Sequence, residues 1–296
     1  MMALRCSAAF RVTFGRFRYR GVHDTMKKFL LALLALMMLP HMARADLTLH
    51  FIDVGQGDSV LVQCGGASML VDAGPAEAGS VVNACIRNAG LSELDYVVAT
   101  HEHDDHLFGM PDALSGLRVG TVYSSPAVPM TYWFENILPR LRQESLVLLR
   151  PQSLESFALG DATVTFLNTL AASENPNDLS LVLRIDYGET SALLTADIEG
   201  EAEMNLVNSA VPLKADVLKV AHHGGNTSTC EAFVKAVDPR YAVISVGKGN
   251  RHGHPHSGPL SNLEKRNVIV YRTDLFGTVT GTSDGKNWTF GVSKAR

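Results

Sequence analysis

His101, His103, Asp105 and His106 stand within six residues, in the run Thr100-His-Glu-His-Asp-Asp-His106. Neutral imidazole and carboxylate are the donors that zinc and related divalent cations take. The run follows a short stretch of strand character, 95–100, and leads into a helix candidate, which places the donors at a strand end. His101 and His103 alternate, and in an extended segment alternate side chains point the same way. They can share one cation while Asp105 and His106 take a second. The competing account is a polar surface loop that happens to be rich in histidine. Three of the chain's 11 histidines inside six residues weigh against it.

The flanking sequence predicts the elements that hold these donors. Apolar and polar residues alternate over 47–53, as in a half-buried strand. Two further strand candidates, 59–63 and 68–72, are separated by glycine-containing turns. Val81, Val82, Cys85, Ile86 and Ala89 fall at helical spacing within 79–89. Downstream, 179–187 and 190–196 read as a hairpin turning at Gly188-Glu189, and 199–208 as a helix. Strands at 216–221 and 241–246 end at His222-His223 and in a Gly/His loop. Closing strands are expected at 268–271, 277–281 and 288–292. Helices alternating with hairpins predict two sheets faced by helices, in one domain over 46–296.

With 296 residues and 46% hydrophobic composition, the chain can bury a sizeable core. Lys27-Lys28, the apolar run 29–40 and Ala43-Arg44-Ala45 read as a secretory signal peptide over 26–45. Cleavage near Ala45 makes the protein extracytoplasmic, periplasmic or secreted. The run is too short for a permanent span, an uncleaved anchor being the alternative. Residues 1–25 carry Arg5, Arg11, Arg16, Arg18 and Arg20 without periodicity. They read as an extension ahead of a true start at Met26, or as a transit-type presequence. Residues 1–45 hold eight of the 26 lysines and arginines and one of the 30 acidic residues, so the remainder carries 18 against 29, a net of −11. Such a surface repels polyanions and argues against tight, sequence-independent DNA binding. Of the four cysteines, Cys64, Cys85 and Cys230 lie beyond residue 45; three is odd and they lack CxxC spacing, which speaks against a disulfide framework or a cysteine zinc site.

The H-x-H-x-D-H run after a strand resembles the metallo-β-lactamase superfamily. Phe51-Ile-Asp-Val-Gly-Gln-Gly-Asp-Ser59, Leu70-Val-Asp-Ala-Gly74, Asn177-Asp-Leu-Ser180, Leu194-Thr-Ala-Asp197, Lys219-Val-Ala-His-His-Gly224 and Gly253-His-Pro-His256 follow one another in order. Together they resemble the extracytoplasmic hydrolase domain of the ComEC competence proteins, over nearly all of 47–290. The resemblance implies a four-layer αββα sandwich with two divalent metal ions, Zn²⁺ or Mn²⁺, at one edge. It implies that His101 and His103 hold the first metal, Asp105 and His106 the second, and that Asp197 bridges them. Ala196 stands where the family has glycine, and an N-cap role is the other account of Asp197. His254 is implied as the second metal's remaining ligand, with His252 and His256 as alternatives. His222 or His223 is expected to face the metals as ligand or proton donor.

Many relatives supply another histidine where this chain has Asn177-Asp178. Asp178 is then either an oxygen ligand or part of a turn with Asn175-Pro176-Asn177. Asp72 is expected to support the histidine loop through hydrogen bonds. Phe108, at a position where relatives carry glycine, is expected to narrow the cleft entrance. Asp53 and Asp58 are read as shaping the first hairpin, with phosphate cradling the weaker account. The implied activity is hydrolysis of a phosphodiester, in DNA or a smaller molecule, with Asp105 orienting the attacking hydroxide and His222 or His223 donating a proton. The alternatives are hydrolysis of another exported ester, lactone or amide, and a DNA-uptake binding factor with a vestigial site. Lys214, Lys219, Lys248, Arg251, Lys265, Arg266 and Arg272 are the notable basic concentration. DNA binding is expected to be weak, salt-dependent and confined to whatever rim they form.

Overall fold

The computed structural model describes residues 46–168, 173–209 and 211–294. The signal-peptide and extension readings of 1–45 lie outside the described residues. Among those described, no helix is long and apolar enough to cross a membrane.

Strand periodicity builds two mixed sheets. The first holds eight strands in the order β15-β14-β1-β2-β3-β4-β5-β6. Its strands are β1 Leu47–Phe51, β2 Val60–Cys64, β3 Ala67–Val71, β4 Glu93–Ala99, β5 Arg118–Ser124, β6 Val147–Leu149, β14 Val279–Ser283 and β15 Trp288–Val292. The second holds seven in the order β13-β12-β11-β10-β9-β8-β7. These are β7 Ser156–Leu159, β8 Ala162–Asn168, β9 Val182–Tyr187, β10 Thr190–Leu194, β11 Val217–Lys219, β12 Tyr241–Ile244 and β13 Ile269–Arg272.

Alternation along each strand sorts the apolar residues into layers. Leu49, Phe51, Val62 and Met69 of the first sheet meet Phe166, Tyr187, Leu194 and Val217 of the second in a central core. Leu61, Leu70 and Val97 face outward into a layer with Val82 and Ile86 of helix α1 (Gly79–Asn88). Leu193 and Leu218 face a third layer containing Ala202 and Leu206 of α2 (Gly200–Asn208) and Phe233 and Val234 of α3 (Glu231–Val237). The result is an αββα sandwich.

The sequence reading assigned no strands within 118–168, where β5 to β8 lie. β6 is half-exposed at a sheet edge, and β8 intersperses Thr163 and Thr165 with apolar residues, so neither stands out as a run. The strand expected from 179 starts at Val182, after a 3₁₀ turn Pro176–Leu179.

β3 and β4 run parallel, as do β10, β11 and β12. Parallel strands end at the same edge, and in such sheets ligand-binding side chains gather beyond the carboxyl ends. The segments leaving these strands carry Asp72, His101 to His106, Asp197, His222-His223 and the loop 247–256.

Candidate metal centre

The segment after β4 is held open by its own backbone. Leu181 N donates to Thr100 O (3.0 Å), and Ala73 N donates to His106 O (2.8 Å). A one-turn helix, Asp104–Leu107, then starts from His103 and turns His106 inward. Gly57 lies against this turn: a Cβ there would overlap the Asp105 carbonyl oxygen, so the backbone approach requires glycine.

His101, His106, Asp197 and His223 are almost completely buried. Each ring has its Nδ1 proton directed by a neighbour. Asp72 Oδ2 accepts from His106 Nδ1 (2.8 Å) and from Thr100 Oγ1 (2.6 Å), while Asp72 Oδ1 accepts from Thr100 N (2.9 Å). The Thr100 hydroxyl, its proton given to Asp72, accepts from His101 Nδ1 (3.1 Å). Ser245 O accepts from His223 Nδ1 (2.9 Å). A neutral imidazole protonated at Nδ1 presents a lone pair at Nε2. Among the described residues, the Nε2 atoms of His101, His106 and His223 have no hydrogen-bond partner, nor has Asp197 Oδ1.

These lone pairs face one another. Asp197 Oδ2 lies 3.2 Å from His106 Nε2 and 3.3 Å from His223 Nε2, and Asp105 Oδ2 lies 3.2 Å from His223 Nε2. Acceptor facing acceptor at this range requires a proton or a cation between them. His101, His106 and Asp197 form one compact donor group, and Asp105, His106 and His223 another. The donor chemistry fits divalent cations with imidazole and carboxylate preference. Without a cation, protons take their place. Burial is the largest single influence and opposes charge on His106 and His223, but the surrounding carboxylates together, Asp197 with Asp72 and Asp58 at His106 and Asp197 with Asp58 and Asp105 at His223, lift both well above the ordinary histidine range. Burial likewise would raise Asp105 and Asp197, yet the adjacent His106 and His223 hold both below the ordinary carboxylate range. His101, buried beside His106, is held well below 6.5.

Four residues here take left-handed backbone conformations that side chains disfavour: Asp72 (φ 56°), Ala196 (φ 45°), His222 (φ 49°) and His223 (φ 55°). Glycine would adopt the Ala196 backbone conformation without steric cost. That conformation turns the chain beyond β10 so that Asp197 faces the histidines.

His103 lies toward the cleft, its ring 4.7 Å from that of His101, outside the compact groups found among the described residues. The place beside Asp105 and Asp197 that the resemblance gave to His254 is filled by His223. His254 instead stands on the outer wall, its ring 6.2 Å from His223 and 5.5 Å from His222. Asn250 pins its backbone there through His254 N (3.0 Å) and O (2.7 Å). His252 also lines the cleft, and His256 packs behind His254 at 5.0 Å between rings. Asp178 lies in the 3₁₀ turn Pro176–Leu179, the turn account of this residue, and its Oδ1 accepts from Glu199 N (3.0 Å) at the start of α2. His222 lines the cleft, with Nδ1 3.2 Å from both Thr227 Oγ1 and Glu199 Oε1.

The centre floors an open cleft of about 810 Å³ lined also by Gln56, Pro75, Glu77, Phe108 and Arg251. Phe108 stands on its rim, 53% exposed. The basic residues do not form one rim. Lys214 and Arg266 pair with Asp238, Lys265 with Glu231 and Arg272 with Asp274. Arg251 alone of the seven lines the cleft, and Lys219 is buried.

Sequence reasoning missed the buried pair Asp58 and Lys219. The sequence reads Asp58 as a hairpin residue and Lys219 as one member of the basic concentration. The available signal was a lone lysine inside the apolar run Val217-Leu-Lys-Val-Ala221.

Comparison with known proteins identifies the family. The chain is 32% identical over 263 residues to ComE operon protein 3 of Bacillus subtilis, covering 81% of this chain and 34% of that protein. It is 29% identical over 233 residues to competence protein ComA of Neisseria gonorrhoeae, covering 77% and 31%. The chain thus spans about a third of the length of these curated relatives. The crystal structure of YhfI from Bacillus subtilis, a metallo-beta-lactamase fold protein, shares the fold, with a TM-score of 0.51 at 17% identity over 80% of this chain and 100% of that one. Residues 52–248, which include every donor of the two compact groups, match the family described as the metallo-beta-lactamase superfamily, and the chain belongs to it.

Proposed function

We propose that this protein is an exported metal-dependent hydrolase that cleaves phosphodiester bonds, in DNA or in a smaller molecule. The observation that carries the reading is the convergence of three Nε2 lone pairs with the Asp105 and Asp197 carboxylates on the floor of an open cleft. When bound, two divalent cations, Zn²⁺ or Mn²⁺, supply Lewis acidity and lower the pKa of coordinated water. Asp197 presents one oxygen between His106 and His223, the position from which a carboxylate can serve both donor groups. Asp105, whose side chain is 26% exposed, is the carboxylate open to the cleft and orients the nucleophile. His223 is committed through both nitrogens. His222, braced by Glu199 and Thr227 and half-exposed in the cleft, is held below the ordinary histidine range mainly by burial, so it is neutral at rest and relays a proton from water to the leaving group. His254 is pushed down to about 4 by burial and by the charges of His223 and His222, so it is uncharged at neutral pH and serves as a neutral wall of the cleft.

Metal analysis of the purified protein tests this, in parallel with assays on bis(p-nitrophenyl) phosphate, single-stranded and duplex DNA, simple esters and β-lactams. The expected result is close to two equivalents of divalent metal and turnover of the diester, abolished by chelation and restored by Zn²⁺ or Mn²⁺. Metal-free protein, or loaded protein that turns over an ester or β-lactam and no diester, refutes the reading. The net acidity and scattered basic residues support weak DNA binding that fades as salt rises. A fluorescence titration at two salt concentrations checks it, and tight binding at high salt contradicts it.

A further inference from the structure

Lys219 is 1% exposed, on the central-core face at the carboxyl end of β11. Its Nζ forms an ion pair with Asp58, donates to Ala196 O (3.3 Å) and lies 4.0 Å from Asp197 Oδ1. Its main chain ties to the same turn: Thr195 Oγ1 donates to Lys219 O (2.6 Å). Ala196 O, which accepts from Lys219, also accepts from His222 N (3.0 Å). The ammonium is therefore linked to the carbonyl of the left-handed residue that aims Asp197. It lies nearer Asp197 Oδ1, whereas Oδ2 is the oxygen that meets His106 and His223.

Asp58 gives the lysine a second task. Asp58 Oδ1 lies 3.4 Å from His223 Nδ1, and Asp58 Oδ2 lies 4.0 Å from His106 Nδ1. Asp58, Asp197 and His223 are close enough to form a donor group of their own, as are Asp58, Asp72 and His106. A buried carboxylate without a counter-charge would compete for the cations or recruit a histidine proton. The Lys219 ammonium satisfies it in place.

We propose that Lys219 is a positioning residue for the metal centre: a fixed internal cation that keeps Asp58 off the metals and locks the Ala196 turn, so that Asp197 presents one oxygen to both donor groups. This deepens the reading of the site as a metal-dependent hydrolase and rests on it. Groups that orient metal ligands typically change metal affinity about 10–100-fold when removed.

The test compares the wild type with Lys219→Met and with the double variant Asp58→Asn/Lys219→Met, which leaves no uncompensated charge if the single variant fails to fold. Zn²⁺ affinity is read by chelator competition and folding by thermal melting. The expected result is that the double variant melts near the wild type yet binds Zn²⁺ at least about tenfold more weakly, with kcat falling more than KM rises for the diester. A merely structural lysine would lose stability and keep metal affinity. A folded double variant binding two Zn²⁺ within about threefold of wild-type affinity, against the about tenfold loss expected, overturns the proposal. Wild-type protein that binds no divalent metal instead overturns the hydrolase reading on which it stands.

Discussion

Asp72→Asn isolates the hydrogen-bond logic of the site without changing its shape. Asp72 accepts three hydrogen bonds, from Thr100 N, Thr100 Oγ1 and His106 Nδ1. An asparagine has one acceptor oxygen. If that oxygen keeps Thr100 N, the amide NH₂ faces His106 Nδ1, and the ring must move its proton to Nε2, where it blocks the metal. If the amide turns over, the oxygen keeps His106, but NH₂ then opposes the Thr100 backbone N–H in a buried position. A buried donor left unsatisfied costs about 1–3 kcal/mol. Every 1.4 kcal/mol is tenfold in an equilibrium, so the first outcome corresponds to metal affinity weakened about 10–100-fold, as is typical for groups that orient metal-ligating histidines. The second appears as lost thermal stability of the same free energy. Chelator competition and differential scanning calorimetry, on one preparation each of wild type and variant, separate them. A variant matching the wild type in both Zn²⁺ affinity and Tm would refute the assignment of Nδ1 as the protonated nitrogen, and with it the lone-pair argument for the centre.

The pH dependence of the metal-free protein follows from the pKa directions. His106 and His223 lie well above 6.5 when folded, so their stabilisation is complete below 6.5 and lost as pH rises through their folded values. His101, His222 and His254 lie below 6.5, so stability also falls as pH drops from 6.5 through theirs. Apo Tm should peak near pH 6.5, whereas Zn²⁺ loading should abolish the alkaline decline; a monotonic apo profile counts against the arrangement. Ala196→Gly should relieve the left-handed backbone at φ 45°. The gain is about 0.5–1 kcal/mol once glycine's extra unfolded-state freedom is subtracted, measured by urea denaturation with metal stoichiometry unchanged. Phe108→Ala should leave Tm within about 2 °C, as for an exposed side chain, and raise kcat/KM for bulky diesters relative to small ones; no change in that ratio removes Phe108 from the cleft entrance.

The H-x-H-x-D-H run was legible because its donors are adjacent in sequence, where spacing alone places them together. The layers were legible wherever alternation was clean, as in β1, or spacing helical, as in α1. β6 and β8 were not, because an edge strand and a threonine-interrupted strand bury too little on one face to show a pattern. Sequence by itself determined the donor types, the strand-end location and the acidic balance, since these are properties of local runs and of composition. The tertiary structure alone decided that His223 rather than His254 stands beside Asp105 and Asp197, and that Asp178 lies in a turn bonded to the start of α2. Those assignments depend on which loops the two sheets bring within about 3 Å of one another, the range of a hydrogen bond. The same holds for Asp58 and Lys219: they are 161 positions apart, and their pairing exists only because β11 packs its inward face against the first sheet.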